Sequence, residues 1–389
     1  MDHRMTRLLA RCWGALALVV AAFGFVAAAE AQGYSPTGTC PAHQWNYAYG
    51  SMTTAADCLQ PSFGDLSGTL LVPPQGRLTL ASHTPVLTTS TTGQSTIYYD
   101  AYKGNEVPVY NGANDVLLTI GSNEISDVLE ASGAGEVLSG GVFDEWAISV
   151  SGTLTLCHAT NGSGGGWAGD TGGTNNARGT GYSALDNHTR SYLTNKNAIA
   201  DCYNGSTNEG SVAANEATYL GSFYTTANGQ TGVNFGGSAS GGLAGFFYLW
   251  NYYNRVLVAA RVIDSGASYT YSSATVRQAR TLYGNQVSFV LGVQEDSVSA
   301  VDNSDTVPSA TNAETLFGFG LDTTTAFSSQ PVLVESPVSG GINDARADTA
   351  TFSPSAGVHA LAALQKSDGA NANTFDYYSS DELDVTVRY

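Results

Sequence analysis

The sequence has little charge, and less of it positive. Asp, Glu, Lys and Arg make up only 12% of its 389 residues, and 15 basic side chains face 33 acidic ones, for a net charge of −18. A surface of that sign repels phosphate backbones and anionic lipid, which argues against nucleic acid and membrane surfaces as partners. Beyond the N-terminus no apolar run is long enough to cross a bilayer. The signatures of common catalytic sites are missing too. There is no Gly-x-Ser-x-Gly, no His-Glu-x-x-His, no EF-hand loop and no Cys-x-x-Cys. Gly164 to Gly169 spells Gly-x-Gly-x-x-Gly, but it lies in a glycine-rich loop and opens no helix. His43, His83, His158, His188 and His359 are scattered and read as surface or hydrogen-bonded residues.

What the chain does have is glycine and short apolar runs. Apolar residues reach 42%, enough for a core, and 45 glycines break them up. That profile fits a sandwich or fibre protein with many turns and few long helices. The organising stretch is Tyr219 to Val298. Runs of Val, Tyr, Phe and Leu there are short and bounded by Gly, Asn, Asp or Ser, which reads as strands joined by turns. Tyr219, Gly221, Phe223 and Thr225 are expected on one face of a pleat. Phe246–Tyr253 and Val256–Ile263 are apolar enough to be expected inside a packed sheet.

The N-terminus reads as an export signal. Arg4, Arg7 and Arg11 precede an apolar run from Cys12 to Ala29, and Ala29-Glu30-Ala31 offers a cleavage site. Residues 1–31 are therefore read as a signal peptide, with an uncleaved anchor as the alternative. No membrane insertion is expected after cleavage. Four cysteines remain, Cys40, Cys58, Cys157 and Cys202. An even count in an exported chain points to disulfides, and four cysteines allow three pairings. Cys40–Cys58 and Cys157–Cys202 are preferred, because each pair brackets a local turn-rich segment.

Residues 32–95 hold few large apolar side chains and read as a small connector, with a Ser/Thr linker or weak strand at 82–96. From Ile97 strand signals become dense: Ile97–Tyr102, Val107–Tyr110, Val116–Ile120, Val142–Val150 and Thr153–Cys157. Val142, Asp144, Trp146, Ile148 and Val150 mark one face of a half-buried strand. Asp302 to Pro308 reads as a long connection. Leu316–Leu321, Pro331–Glu335, Gly357–Gln365 and the cleanly alternating Leu383–Tyr389 read as strands. The expected fold is all-β, a β-sandwich of jelly-roll type over residues 96–389.

Two chemistries compete for the site. Asp144-Glu145, Glu295-Asp296 and Asp381-Glu382-Asp384 could supply the two carboxyls of a glycoside hydrolase, which stand roughly 5–10 Å apart. Neighbours on one strand point to opposite faces, so neither Asp144-Glu145 nor Glu295-Asp296 is a pair by itself. Solvated turns and strand ends are the plainer reading of these carboxylates. The acidic stretch Asp302–Asp305 could hold a structural calcium ion; no other metal or cofactor is expected. The aromatics are the better lead. Trp167 lies in the glycine-rich loop, and Trp250, Tyr252 and Tyr253 lie by an expected strand end. Flat rings beside polar neighbours suit sugar faces, whereas core packing is the other reading of Trp250 and Tyr252.

Several runs together resemble β-rich proteins of tailed-phage and prophage virions, tail-fibre or appendage proteins in particular. They include Tyr98-Tyr99-Asp100-Ala101-Tyr102-Lys103-Gly104-Asn105, Val107-Pro108-Val109-Tyr110, Thr218-Tyr219-Leu220-Gly221-Ser222 and Val287-Ser288-Phe289-Val290. Leu249-Trp250-Asn251-Tyr252-Tyr253-Asn254-Arg255-Val256 carries the resemblance furthest. Cys40-Pro41-Ala42-His43-Gln44-Trp45 and Cys58-Leu59-Gln60-Pro61-Ser62-Phe63 look like a connector before such a domain. The resemblance implies a homotrimer with a virion-associated or host-surface-binding role. The export signal departs from that pattern, because virion proteins assemble in the cytoplasm. It points to a secreted, periplasmic or cell-surface protein, such as a copy domesticated by a bacterium. The expected function is a non-enzymatic structural or adhesive one, with cell-surface polysaccharide as candidate ligand. The alternative is a secreted carbohydrate-active hydrolase.

Overall fold

The computed structural model describes residues 72–160, 185, 190–336, 344–376 and 381–389, with the backbone of Trp45–Asn46 and Cys58–Leu59. The expected signal peptide, Cys40 and Trp167 lie outside the described residues. The chain divides into two compact units, Met1–Leu70 and Leu71–Tyr389. In the first, Trp45–Asn46 pairs antiparallel with Cys58–Leu59. The second unit starts well ahead of residue 96. Gly76–Thr79 and Thr91–Gln94, expected in the connector or its linker, are strands of it.

The second unit is nearly all β, and its C-terminal part is a jelly roll. Eight of the described strands make the roll: Leu257–Asp264, Gln286–Leu291, Val298–Val307, Glu314–Leu321, Val332–Glu335, Asp344–Phe352, Gly357–Ser367 and Asp381–Arg388. The first, eighth, third and sixth form one sheet in that order, with every pairing antiparallel. The second, seventh, fourth and fifth form the other, again antiparallel. Two interleaved four-stranded sheets of this order are the jelly-roll arrangement. Val262, Ala300, Phe289, Phe319, Leu361, Val385 and Val387 are buried in its core. Burying a large aliphatic or aromatic side chain contributes roughly 1.5–3 kcal/mol. The second-strand sheet then continues through Gly245–Phe247, which pairs in parallel, to Thr231–Asn234 and Thr91–Gln94.

The N-terminal part is layered on a six-stranded sheet. Its order is Thr207–Val212, Ile199–Asn204, Thr153–Ala159, Val142–Val150, Thr218–Tyr224 and Leu249–Asn251. Val142–Val150 is not half-buried as expected: it is buried on both faces from Val142 to Ile148. Layers on both sides explain this. On one side His158 meets Asp127 of the Glu124–Val128 strand. On the other, Tyr219 and Trp250 close against Gly292, which follows the second strand of the roll.

Four sequence expectations need correcting. A register shift between Tyr219 and Gly221 puts Tyr219 opposite Trp146 but Gly221 opposite Glu145. This bulge turns Tyr219 to the face of Ser222, away from Gly221 and Phe223. The Phe246–Tyr253 run is divided between two sheets, with Tyr248 at the crossing. Leu257–Asp264 is not enclosed: Leu257, Ala259 and Arg261 are exposed and only alternate residues reach the core. Finally, Asp302 to Val307 is no connection but part of a ten-residue strand in which Asp302, Ser304, Asp305 and Thr306 are buried.

Candidate functional site

Of the expected aromatic site, Trp250 is packed inside and Tyr252 and Tyr253 are half-buried beside it. Trp250 is 1% exposed. Tyr252 lies among Tyr219, Trp250 and Tyr253 at ring separations of 4.7–6.1 Å. The Arg255 guanidinium covers the Trp250 and Tyr252 rings at 5.2 and 5.7 Å. The Tyr253 hydroxyl accepts from the Leu193 amide, and burial raises its pKa beyond the usual tyrosine range. These rings tie layers together and offer no open sugar-stacking face. The Cys157–Cys202 disulfide is formed as expected, joining two neighbouring strands of the six-stranded sheet.

The candidate hydrolase carboxylates are sealed or neutralised. Asp144 accepts from Ser222 at 2.6 Å, and Ser222 bonds the Tyr219 hydroxyl. Glu145 points the other way, fully buried against Asp127, with no side-chain or backbone donor on either oxygen. Burial first, then the charges of Asp127 and Asp144, hold its carboxyl well above the ordinary carboxylate range. Beside it His158 Nδ1 lies 2.5 Å from Asp127 and its Nε2 3.1 Å from the Gly135 carbonyl. Glu295 and Asp296 both pair with Arg255, at 3.1 and 2.5 Å. Glu382 pairs with Arg261 on the outer face of the roll. Asp384 is raised by partial burial and by a hydrogen bond with Glu382, so no gap of roughly 5 Å is held open between the two for a sugar.

What is accessible has a different chemistry. A groove of about 580 Å³ lies on the outer face of the second-strand sheet, lined by Gln286, Ser288, Asp322, Thr323, Thr325 and Ala360 among others. His359 also borders it, but Asp322 and the Ser355 carbonyl occupy both its nitrogens at 2.8 Å. It is therefore not poised to activate Ser288 as a nucleophile. Ser288 is the register partner of Phe246 and lies against the Tyr248 hydroxyl. The half-buried Phe246 and Tyr248 rings stack at 4.7 Å, and Tyr224 leans on Tyr248 at 4.8 Å. Sequence reading missed this row, because Phe246 and Tyr248 sit in the apolar run that looked wholly internal. Their alternation with the buried Phe247 and Leu249 was the available signal. Elsewhere, Leu243, Leu282 and Tyr283 stand exposed where the loop before Gly245 meets the loop before Gln286. Tyr283 is 80% exposed.

One end of the roll collects buried acids. Asp305, Asp376 and Asp381 bring carboxylate oxygens within 4.8 Å of one another. A second group, His83, Asp100 and Glu124, is partly open to solvent. Burial, then Glu124, raises Asp100 to about 7, while hydrogen bonds hold Glu124 low against the cost of its own desolvation.

No protein-family model and no curated protein matches this chain. Solved structures with a likeness include one described as the structure of infectious bursal disease virus Gx strain. It is 14% identical, covering 78% of this chain and 73% of that one, with a TM-score of 0.22. A Bacillus thuringiensis Cry1Da tryptic core variant is 8% identical over 82% of this chain and 52% of its own, at 0.17. An exo-β-1,3-galactanase from Phanerochaete chrysosporium, solved with galactose, is 12% identical over 81% and 68%, at 0.14. At these scores the likeness carries no argument about function.

Proposed function

We propose that this chain is an exported, non-enzymatic structural or adhesive protein that assembles with itself and holds cell-surface glycans, in the manner of a phage tail fibre. One contrast carries the reading. Every carboxylate group considered for bond cleavage is buried, salt-bridged or closed on its neighbour, while the accessible features are rings, hydroxyls and apolar side chains, with Asp322 of the groove engaged by His359. The stacked Phe246 and Tyr248 rings beside Ser288 and Gln286 suit a sugar, whose C–H face takes the ring and whose hydroxyls take the polar rim. The exposed Leu243, Leu282 and Tyr283 suit a contact between copies.

The test is to present the purified protein to immobilised bacterial surface polysaccharides. Retention that Tyr248→Ala weakens, with no reducing ends released, is the expected result. Steady release of reducing ends, abolished by Asp384→Asn, would install the hydrolase reading instead. Light scattering should give about three times the chain mass, falling to one in Tyr283→Glu. A monomeric wild type would reject the fibre assembly.

A further inference from the structure

The inward row of the jelly roll changes character along its length. On the eighth strand Val387, Val385 and Leu383 are buried, and Asp381 continues the same alternation. Its register partner on the first strand is Asp264, following Val262 opposite Leu383. On the third strand Asp302 lies opposite Leu383, and Asp305 beyond it is fully buried. Asp376 follows the short strand Asn373–Phe375, which pairs with the end of the third strand. Carboxylates thus stand where the rest of the row carries methyl groups.

Arg280 reaches into this end and is divided between Asp264 at 2.5 Å and Asp376 at 2.7 Å. Ser304 donates to Asp302. Asp381 is the least compensated: the residue is 6% exposed, neither buried oxygen has a donor in good hydrogen-bonding geometry, and the Asp305 backbone is the donor that faces it. An isolated buried carboxylate is costly, so such groups are paired, protonated or bound to a cation.

We propose that this end of the roll binds one calcium ion through the carboxylates of Asp305, Asp376 and Asp381. Oxygens sharing an ion at roughly 2.4 Å lie at most about twice that apart, which the 4.8 Å limit on this cluster meets. The donors are all hard oxygens, with no His or Cys among them, which disfavours zinc. Magnesium prefers near-ideal octahedral geometry and keeps several waters, which a buried cluster suits poorly. The ion ties the third strand to the start of the eighth and closes this end of the sandwich. Within the stretch Asp302–Asp305 singled out in the sequence, Asp305 is the ligand.

The experiment uses the full chain, stripped with chelator and then supplied with calcium, magnesium or neither. Native mass spectrometry counts bound ions, and thermal unfolding reads the response. With an affinity near the ~10⁻⁴ M of extracellular calcium modules, about 10 mM calcium should raise Tm by roughly 5 °C. Asp381→Asn removes the uncompensated charge without changing shape. It should fold, keep its metal-free Tm and lose both the ion and the response. Asp100→Asn, in the separate histidine-containing cluster, should keep both. No retained calcium and no response would overturn the proposal. So would an equal response to magnesium, a response surviving in Asp381→Asn, or one lost in Asp100→Asn.

Discussion

His158 and Asp127 form a fully buried pair, with Nδ1 2.5 Å from the carboxylate, inside the layer that also buries Glu145. Burial pulls the His158 pKa down, but the Asp127 carboxylate and the Gly135 carbonyl more than offset it and hold it above 6.5. The Glu145 carboxyl is likewise raised, by burial first and then by the charge of Asp127. Both shifts have the same sign. Their stabilisation is complete below the unfolded values, 4.5 for Glu145 and 6.5 for His158, and is lost as pH rises through the folded ones. The expected outcome is that the stability of wild type relative to Glu145→Gln falls as pH rises above about 4.5, the unfolded value, through the raised folded value. Urea midpoints across that range measure it, and a constant difference would refute the protonated Glu145.

Gly292 is glycine because nothing larger fits. A Cβ there would overlap the Tyr219 hydroxyl and the Trp250 ring where the six-stranded sheet meets the roll. Both rings are buried and held by neighbours, Tyr219 through Ser222 and Trp250 under Arg255. Gly292→Ala should therefore cost about 2–3 kcal/mol, the upper range for overpacking a full core. Denaturant unfolding checks it, and a loss below about 0.5 kcal/mol would mean the layers separate easily.

How much of this was legible beforehand varied by element. Leu383–Tyr389 alternates without interruption in sequence and is buried at every odd position. The jelly-roll class followed from such strands and their turn-bounded spacing. Cys157–Cys202 was legible from local bracketing. Val298–Val307 was not, because Asp302, Asn303 and Asp305 look like loop residues. Only the tertiary setting, other acids and Arg280 at the same end, lets Asp302 and Asp305 face inward while Asn303 stays exposed. The bulge at Tyr219 was equally hidden, since a one-residue shift leaves no mark in composition while reversing which face each side chain takes. Trp250 read more readily as core than as ligand contact, and Arg255, five residues on, covers its ring.

The Cys157–Cys202 bridge closes a loop with a sequence separation of 45. Intact mass without reductant should fall about two units below the reduced value for this bridge alone. Cys202→Ser should destabilise by about 3 kcal/mol, mostly by freeing the unfolded chain. An unchanged mass would show the thiols free. An unchanged unfolding midpoint would show that the strand pairing His158 with Tyr203 holds this edge without it.

Arg255 joins three things that sequence reading kept apart. Its guanidinium holds Asp296 at 2.5 Å and Glu295 at 3.1 Å while covering the Trp250 ring. The Asp296 side chain is 5% exposed, whereas Glu295 is nearly half exposed. The two carboxylates should therefore behave differently. Glu295→Gln should cost at most about 0.5 kcal/mol, as exposed ion pairs do. Arg255→Ala should cost about 3 kcal/mol, since it strands Asp296 in low dielectric and uncovers Trp250. Adding Asp296→Asn to Arg255→Ala should restore part of that loss, because a neutral amide is less costly to bury than an unpaired carboxylate. A double-mutant cycle in urea measures the coupling. Strict additivity would show that Arg255 acts through its ring contact alone.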